Sequence, residues 1–188
     1  MADKHLVMTF GRFNPPHVGH LKLANAVRDH AKKIGADHAV YLSQSHDKKK
    51  NPLPPDVKHG IAKKVLRGHN VVSHPKVRNM FHAAEHAAKN GYSHATLVVG
   101  SDRHEEMSKK SDALAKHSGL KSVSVVSAGH RDPDSHDKVE RASGTEARKR
   151  AKSGVTSFKS IIPKHLSDKE VRNIHSTLQL KYLAMSLI

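Results

Sequence analysis

Phe10-Gly11-Arg12-Phe13-Asn14-Pro15-Pro16-His17-Val18-Gly19-His20 decides how this chain is read. The stretch follows an apolar run, Leu6-Val7-Met8-Thr9-Phe10, and precedes an amphipathic one, Leu21 to Ile34. It therefore sits where a strand hands over to a helix. A helix start offers unsatisfied backbone N–H groups and the positive end of a dipole, which together suit an anion such as phosphate. His17 and His20 add imidazole donors to that position. Gly19 removes a side chain and allows close approach to the backbone. Arg12 offers a bidentate phosphate clamp. A turn that merely carries histidines in a histidine-rich chain is the plain alternative. Against it stands the clustering of Gly-Arg-Phe, a proline pair and two histidines at one junction.

Outward from this junction, strands alternate with helices. Strands are expected at His5–Phe10, Ala39–Ser43, Val71–Val72, Ala95–Val99 and Ser122–Val126. Helices are expected at Val18–Lys33, with Gly35 as its stop, and at Asp56–Leu66, Val77–Lys89, Glu105–His117, Ser143–Ala151 and Ser167–Leu187. Pro52, Pro54 and Pro55 make Lys48–Pro55 a loop, and residues 128–137 form another. Ser167-Asp168-Lys169-Glu170 is a capping box. The alternation predicts an α/β fold: a Rossmann-like, doubly wound parallel sheet of about five strands with C-terminal helices. We read residues 1–188 as a single domain, with 155–188 a helical extension. In such sheets ligands bind beyond the carboxyl ends of the strands, so Phe10–Arg12, Ser43 and Gly100–Asp102 are expected to share one cleft.

Lys and Arg number 33 against 17 Asp and Glu, for a net charge of +16. That favours polyanionic partners such as nucleotides, with weak non-specific nucleic-acid binding as a secondary expectation. Aromatic residues make up only 4% and Trp is absent, which weakens any reading based on stacking single-stranded bases. The absence of cysteine excludes disulfides, zinc–thiolate sites and thiol nucleophiles. No stretch has the layout of a signal peptide or the length of a membrane span, so the expectation is a soluble, cytoplasmic protein. The 18 histidines are scattered. His82, Glu85 and His86 share a helical face at metal-ligand spacing, but in so histidine-rich a chain we read a solvated face and assign no metal ligands.

Ser143-Gly144-Thr145-Glu146-Ala147-Arg148 is the second constellation. It puts two hydroxyls at a helix start with a guanidinium one turn on, a terminal-phosphate site that is also a capping box. Together the two motifs resemble the nucleotidyltransferase superfamily with the His-x-Gly-His signature. The first is especially similar to the opening of archaeal-type nicotinamide-nucleotide adenylyltransferases and of small phage-encoded cytidylyltransferase-like proteins. Ser143-x-Thr145-x-x-Arg148 resembles the second superfamily signature, Gly100-Ser101-Asp102 its Gly-x-Asp after the fourth strand, and Ser43 to Pro52 its loop after the second strand. Ala142 stands where an apolar β-branched residue is usual.

The resemblance implies an enzyme that joins a nucleoside triphosphate to an acceptor and releases pyrophosphate. His17 and His20 would contact the α- and β-phosphates and Arg12 would hold phosphate. Ser143, Thr145 and Arg148 would take the β/γ end. Gly100, Asp102, Phe13 and Gly19 would border the nucleotide, and Ser43 and Asn51 the second substrate. Mg²⁺ would accompany the triphosphate. The preferred reaction is ATP with nicotinamide mononucleotide, ahead of a CTP-dependent cytidylyltransferase or a non-catalytic nucleic-acid-binding or virion-associated protein. With Trp absent, Phe81, Tyr92 or Phe158 would stack the pyridine ring. The last helix, with Leu178, Leu180, Tyr182, Leu183, Met185 and Leu187, is apolar enough to pack on the domain or to form a homo-oligomer.

Overall fold

A computed structural model describes residues 3–47, 49–129 and 142–186, with only the backbone at 183, 185 and 186. Lys48, most of the loop expected over 128–137 and the Leu183, Met185 and Leu187 side chains lie outside the described residues. Five parallel strands form one sheet: β1 (His5–Gly11), β2 (Asp37–Leu42), β3 (Val71–Val72), β4 (His94–Val99) and β5 (Ser122–Ser127). Their order is β3-β2-β1-β4-β5, so the chain reverses its direction of growth between β1 and β4. That is the topological switch point, where a crevice opens beyond the strand ends.

Alternation along the strands sorts the core. Leu6 and Met8 of β1, Ala39 and Tyr41 of β2, and Ala95, Leu97 and Val99 of β4 face one side. There they meet α3 (Met80–Lys89), α4 (Ser101–Ser108) and α5 (Ser111–Ser118). Val7 and Val98 turn to the other face and pack on Val27 and Ala31 of α1 (Val18–Ile34). Beside them Val40 and Leu42 meet α2 (Pro55–Val65), α6 (Gly144–Ser153), α7 (Val155–Lys159) and α8 (Asp168–Ser186). Burying both faces of a parallel sheet this way is the main stabilising term, at about 25 cal/mol per Å² of apolar surface removed from water.

Local chemistry sets the boundaries. Gly35 ends α1 in the left-handed region (φ 66°), donating its N–H to the Ala31 and Lys32 carbonyls. Helix α3 begins at Met80, later than periodicity predicts, because the Asn79 side chain accepts from the His82 N–H at 2.9 Å and caps the helix there. The helix expected over Glu105–His117 is two, α4 and α5. Ser111 Oγ donates to the Ser108 carbonyl at 2.8 Å, taking an oxygen that a continuous helix would use. The Ser167–Glu170 capping box is present, with Ser167 N–H donating to Glu170 Oε2 (2.8 Å) and Glu170 N–H to Ser167 Oγ (3.2 Å). Helix α7 had no separate expectation. Among the described residues no helix is long and apolar enough to cross a membrane.

Candidate active site

Three helices begin around one cavity of about 710 Å³ at the carboxyl ends of β1 and β4. Helix α1 starts at Val18, α4 at Ser101 and α6 at Gly144, and the residues at each start line the wall. Three sets of N-terminal N–H groups and dipoles thus border the same space. Among the described residues the wall carries Arg12, Lys22, Lys50, Arg103 and Arg148 against a single carboxylate, Asp102. Its size suits a small organic ligand and its charge an anionic one.

The histidine pair is built by α1's own cap. His17, only 3% exposed, is the N-cap residue, and its Nδ1 accepts from Gly19 N–H at 3.2 Å. The His17 N–H in turn donates to His20 Nδ1 at 3.2 Å. Both Nδ1 atoms are acceptors, so in the neutral rings the proton sits on Nε2. The hydrogen-bond pattern therefore assigns two imidazoles with Nε2–H donors. Their rings lie 3.7 Å apart, centroid to centroid, and Phe13 stacks on His20 at 4.3 Å.

Phe13 is a wedge rather than an open wall. It is buried and has φ 47°, a left-handed conformation that costs a non-glycine residue about 1–3 kcal/mol. Gly11 makes room for it: a Cβ there would fall 2.7 Å from the Phe13 ring. The Asn14–Pro15 peptide bond that follows is cis. Gly19 differs from expectation in what approaches it. A Cβ there would meet the Ala142 Cβ and the His17 ring, both at 3.1 Å, so protein fills the space reserved for a ligand. Ala142 is small where two elements touch.

Helix α6 brings its polar groups to the same wall. Ser143 Oγ accepts from Glu146 N–H (3.1 Å) as the N-cap. Arg148 Nη2 donates to Thr145 Oγ1 (3.1 Å), and Nη1 donates to the carbonyls of Asn14 (2.9 Å) and Lys50 (3.0 Å). A Cβ on Gly144 would come within 3.2 Å of that Nη1, so the glycine lets the guanidinium lie across the helix start. Burial holds the Arg148 pKa below its ordinary value; Tyr182 opposes the shift and the neighbouring Arg12 cation adds to it. Two guanidinium groups that repel one another across a cavity favour an anion between them.

The C-terminal helices back this arrangement. Val18 N–H donates to the Ile161 carbonyl (2.9 Å), and His175 and Gln179 of α8 contact the Ala151 carbonyl at the end of α6. Lys152 lies over the Tyr182 ring at 5.2 Å.

Of the residues expected in the cleft, Arg12, Phe13, His17, Gly19, His20, Gly100, Asp102, Ser143, Thr145 and Arg148 line it. Ser43 and Asn51 do not. Ser43 is buried, with its hydroxyl on Ser45 Oγ (2.6 Å) and its carbonyl taken by Lys58 Nζ; Asn51 is buried and bonded to Asp47. Neither Phe81, Tyr92 nor Phe158 reaches the cavity: Phe158 is in the core, Tyr92 bonds Asp37 and Phe81 packs on His117. Phe10 and Phe13 are the aromatic rings in the wall. His82, Glu85 and His86 form no metal cluster among the described residues; Glu85 pairs with His117 and His86 with Tyr41. Sequence reading missed Asn14, Lys22 and Arg103. Asn14 lies inside the Phe10–His20 motif, Arg103 directly follows Asp102, and Lys22 lies two residues beyond His20.

No curated protein matches this sequence. Among solved structures, Plasmodium falciparum nicotinic acid mononucleotide adenylyltransferase complexed with NaAD is similar in fold, with a TM-score of 0.57 over 97% of this chain and 98% of that one, at 13% identity. The family model described as cytidylyltransferase-like matches residues 8–178, which span the sheet, both phosphate-type motifs and most of α8. That span makes the chain a member of the cytidylyltransferase-like family, within the nucleotidyltransferase superfamily.

Proposed function

We propose that this enzyme joins a nucleoside triphosphate to a phosphorylated small-molecule acceptor, with ATP and nicotinamide mononucleotide as the preferred pair and NAD as the product. The observation that carries the reading is that His17 and His20, Arg12 and the Ser143–Arg148 helix start line one cationic cavity at the switch point, with the Nδ1 atoms of both imidazoles committed to the helix cap. The Plasmodium enzyme of similar fold was captured with a dinucleotide, NaAD, which favours an adenylyl donor.

An acceptor phosphate oxygen attacks the α-phosphorus in line, a new P–O bond forms, and the bond to the bridging oxygen breaks as pyrophosphate leaves. Catalysis of this kind is positioning plus stabilisation of charge. His17 and His20 donate from Nε2 to α- and β-phosphate oxygens, whose charge grows as the bond breaks. Arg12 and Arg148 bracket the leaving pyrophosphate, and Ser143 and Thr145 offer hydroxyls at its far end. Gly100 and Asp102, at the start of α4, border the nucleoside. The donor set fits Mg²⁺ arriving with its triphosphate: such an ion keeps several waters and needs one or two carboxylates, and among the described residues Asp102 is the carboxylate in the wall. Bound there, Mg²⁺ would neutralise part of the triphosphate charge.

The family description favours a second reading, transfer from CTP. Pyrophosphate release tests both. Release with ATP and nicotinamide mononucleotide supports the proposal, and release only with CTP supports the second. No release with either, together with salt-sensitive binding to DNA or RNA, refutes catalysis in favour of polyanion binding.

A further inference from the structure

In the segment between the end of β2 and Leu53, Lys50 lines the cavity wall. Within the same segment, Asp47 Oδ1 accepts from the N–H groups of Lys49 (2.9 Å) and Lys50 (2.7 Å). Ser43 N–H ties the segment's start to the Gly11 carbonyl at 2.8 Å, and two other residues attach it further along. Asn14, 3% exposed, meets Leu53 with both polar atoms: Nδ2 donates to the Leu53 carbonyl at 3.1 Å, and Oδ1 accepts from the Leu53 N–H at 3.0 Å. Only a side-chain amide supplies a donor and an acceptor in that geometry; aspartate lacks the donor. Arg148 Nη1 adds a bond to the Lys50 carbonyl at 3.0 Å. The Lys50 backbone is thereby gripped at its N–H and its C=O, and Lys50 lines the cavity together with Arg148.

We infer that Asn14 is a positioning residue: by clamping Leu53 it fixes this segment so that the Lys50 ammonium meets the terminal phosphates of a bound triphosphate. The inference rests on the cavity being a triphosphate site. Asn14 is uncharged and acts through Lys50.

Inorganic tripolyphosphate is the probe, titrated calorimetrically at one fixed ionic strength. Asn14→Ala, Asn14→Ser and Lys50→Ala each weaken binding about tenfold, the order expected for a charge-assisted contact. In the Lys50→Ala background, Asn14→Ala changes affinity by less than about twofold, because coupled residues are not additive. Exchange of the Leu53 amide hydrogen accelerates at least about tenfold in the Asn14 variants and is unchanged by Lys50→Ala. A merely structural Asn14 would weaken binding equally in both backgrounds, and that result overturns the proposal. Wild-type affinity in Lys50→Ala, an exposed position where folding is not at stake, overturns it too. If the wild type itself binds no tripolyphosphate, the reading of the cavity fails, a different outcome from failure of the clamp alone.

Discussion

Replacing Gly19 by alanine separates the chemistry of the site from the stability of the fold. Gly19 lies in the first turn of α1 with helical backbone, so alanine meets no conformational strain and gains up to about 1 kcal/mol of helix propensity. Against that, the new methyl falls 3.1 Å from the Ala142 Cβ, 3.1 Å from His17 Cε1 and 3.2 Å from His17 Nδ1. Overpacking of this size typically costs about 1–3 kcal/mol. The two effects leave a net loss of about 0–3 kcal/mol, and at about 2–4 °C per kcal/mol the melting temperature falls by at most about 12 °C. Catalysis suffers more. The His17 ring must yield by a few tenths of an ångström and its bond from Gly19 N–H must bend, which moves the Nε2–H donor. Since a misplacement of about 1 Å costs about 10²-fold in rate, a shift of a few tenths predicts about a tenfold loss of kcat. The assay is pyrophosphate release at saturating substrates, beside a thermal melt. The double variant Gly19→Ala/Ala142→Gly removes one of the contacts, lets the turn relax away from the ring and recovers several-fold of the loss. Wild-type turnover in Gly19→Ala would refute the claim that His17 is held in register by this packing. So would a rate loss no larger than the fraction unfolded.

The other predictions concern single groups. His20→Ala removes one Nε2–H donor and lowers kcat about 10²–10³-fold in the pyrophosphate assay while the circular dichroism spectrum stays that of the wild type. Arg148→Lys keeps the charge but cannot span Asn14, Lys50 and Thr145 at once; kcat/KM should fall about tenfold or more under the same assay. Burial lowers the His69 pKa to about 4, from an ordinary 6.5, so the unfolded chain binds more protons between those values and stability falls as pH drops from about 6.5 to about 4. Urea midpoints at three pH values in that window should fall less steeply in His69→Gln than in the wild type. Lys58 is buried, and desolvation lowers its pKa from 10.5 to about 8, so stability attributable to it rises between about pH 8 and 10.5. Lys58→Met should abolish that alkaline rise, measured by the same midpoints.

Much of the architecture is written in short-range patterns. Each strand but β3 carries an apolar run, and each after β1 follows a turn that a glycine marks, so the parallel sheet and the place of the histidine turn could be anticipated. Gly35 and Ser167–Glu170 act locally and were legible for that reason. The break between α4 and α5 was not, because a serine hydroxyl competing for one helix carbonyl leaves periodicity intact. In the site, the motif residues themselves were readable, whereas their supports were not. Nothing in the spacing says that Nδ1 of each histidine is used up by the cap, which leaves Nε2 as the donor. Nor does it say that Ala142 occupies the room beside Gly19, or that Arg148 reaches Asn14, 134 residues earlier. Those are long-range contacts, set by how α1, α6 and the segment after β2 meet. Ser43 and Asn51 illustrate the converse: their sequence positions suggest ligand contacts, yet neither lines the cavity, and the Ser43 hydroxyl and the Asn51 amide N–H bond to Ser45 and Asp47.

A crystal structure of the protein soaked with the non-cleavable α,β-methylene analogue of ATP tests the central claim most directly. The account predicts that the Nε2 atoms of His17 and His20 lie within about 2.7–3.2 Å of α- and β-phosphate oxygens, with Arg148 turned to the β/γ end. A triphosphate bound at another surface, with both imidazoles away from it, would contradict the account.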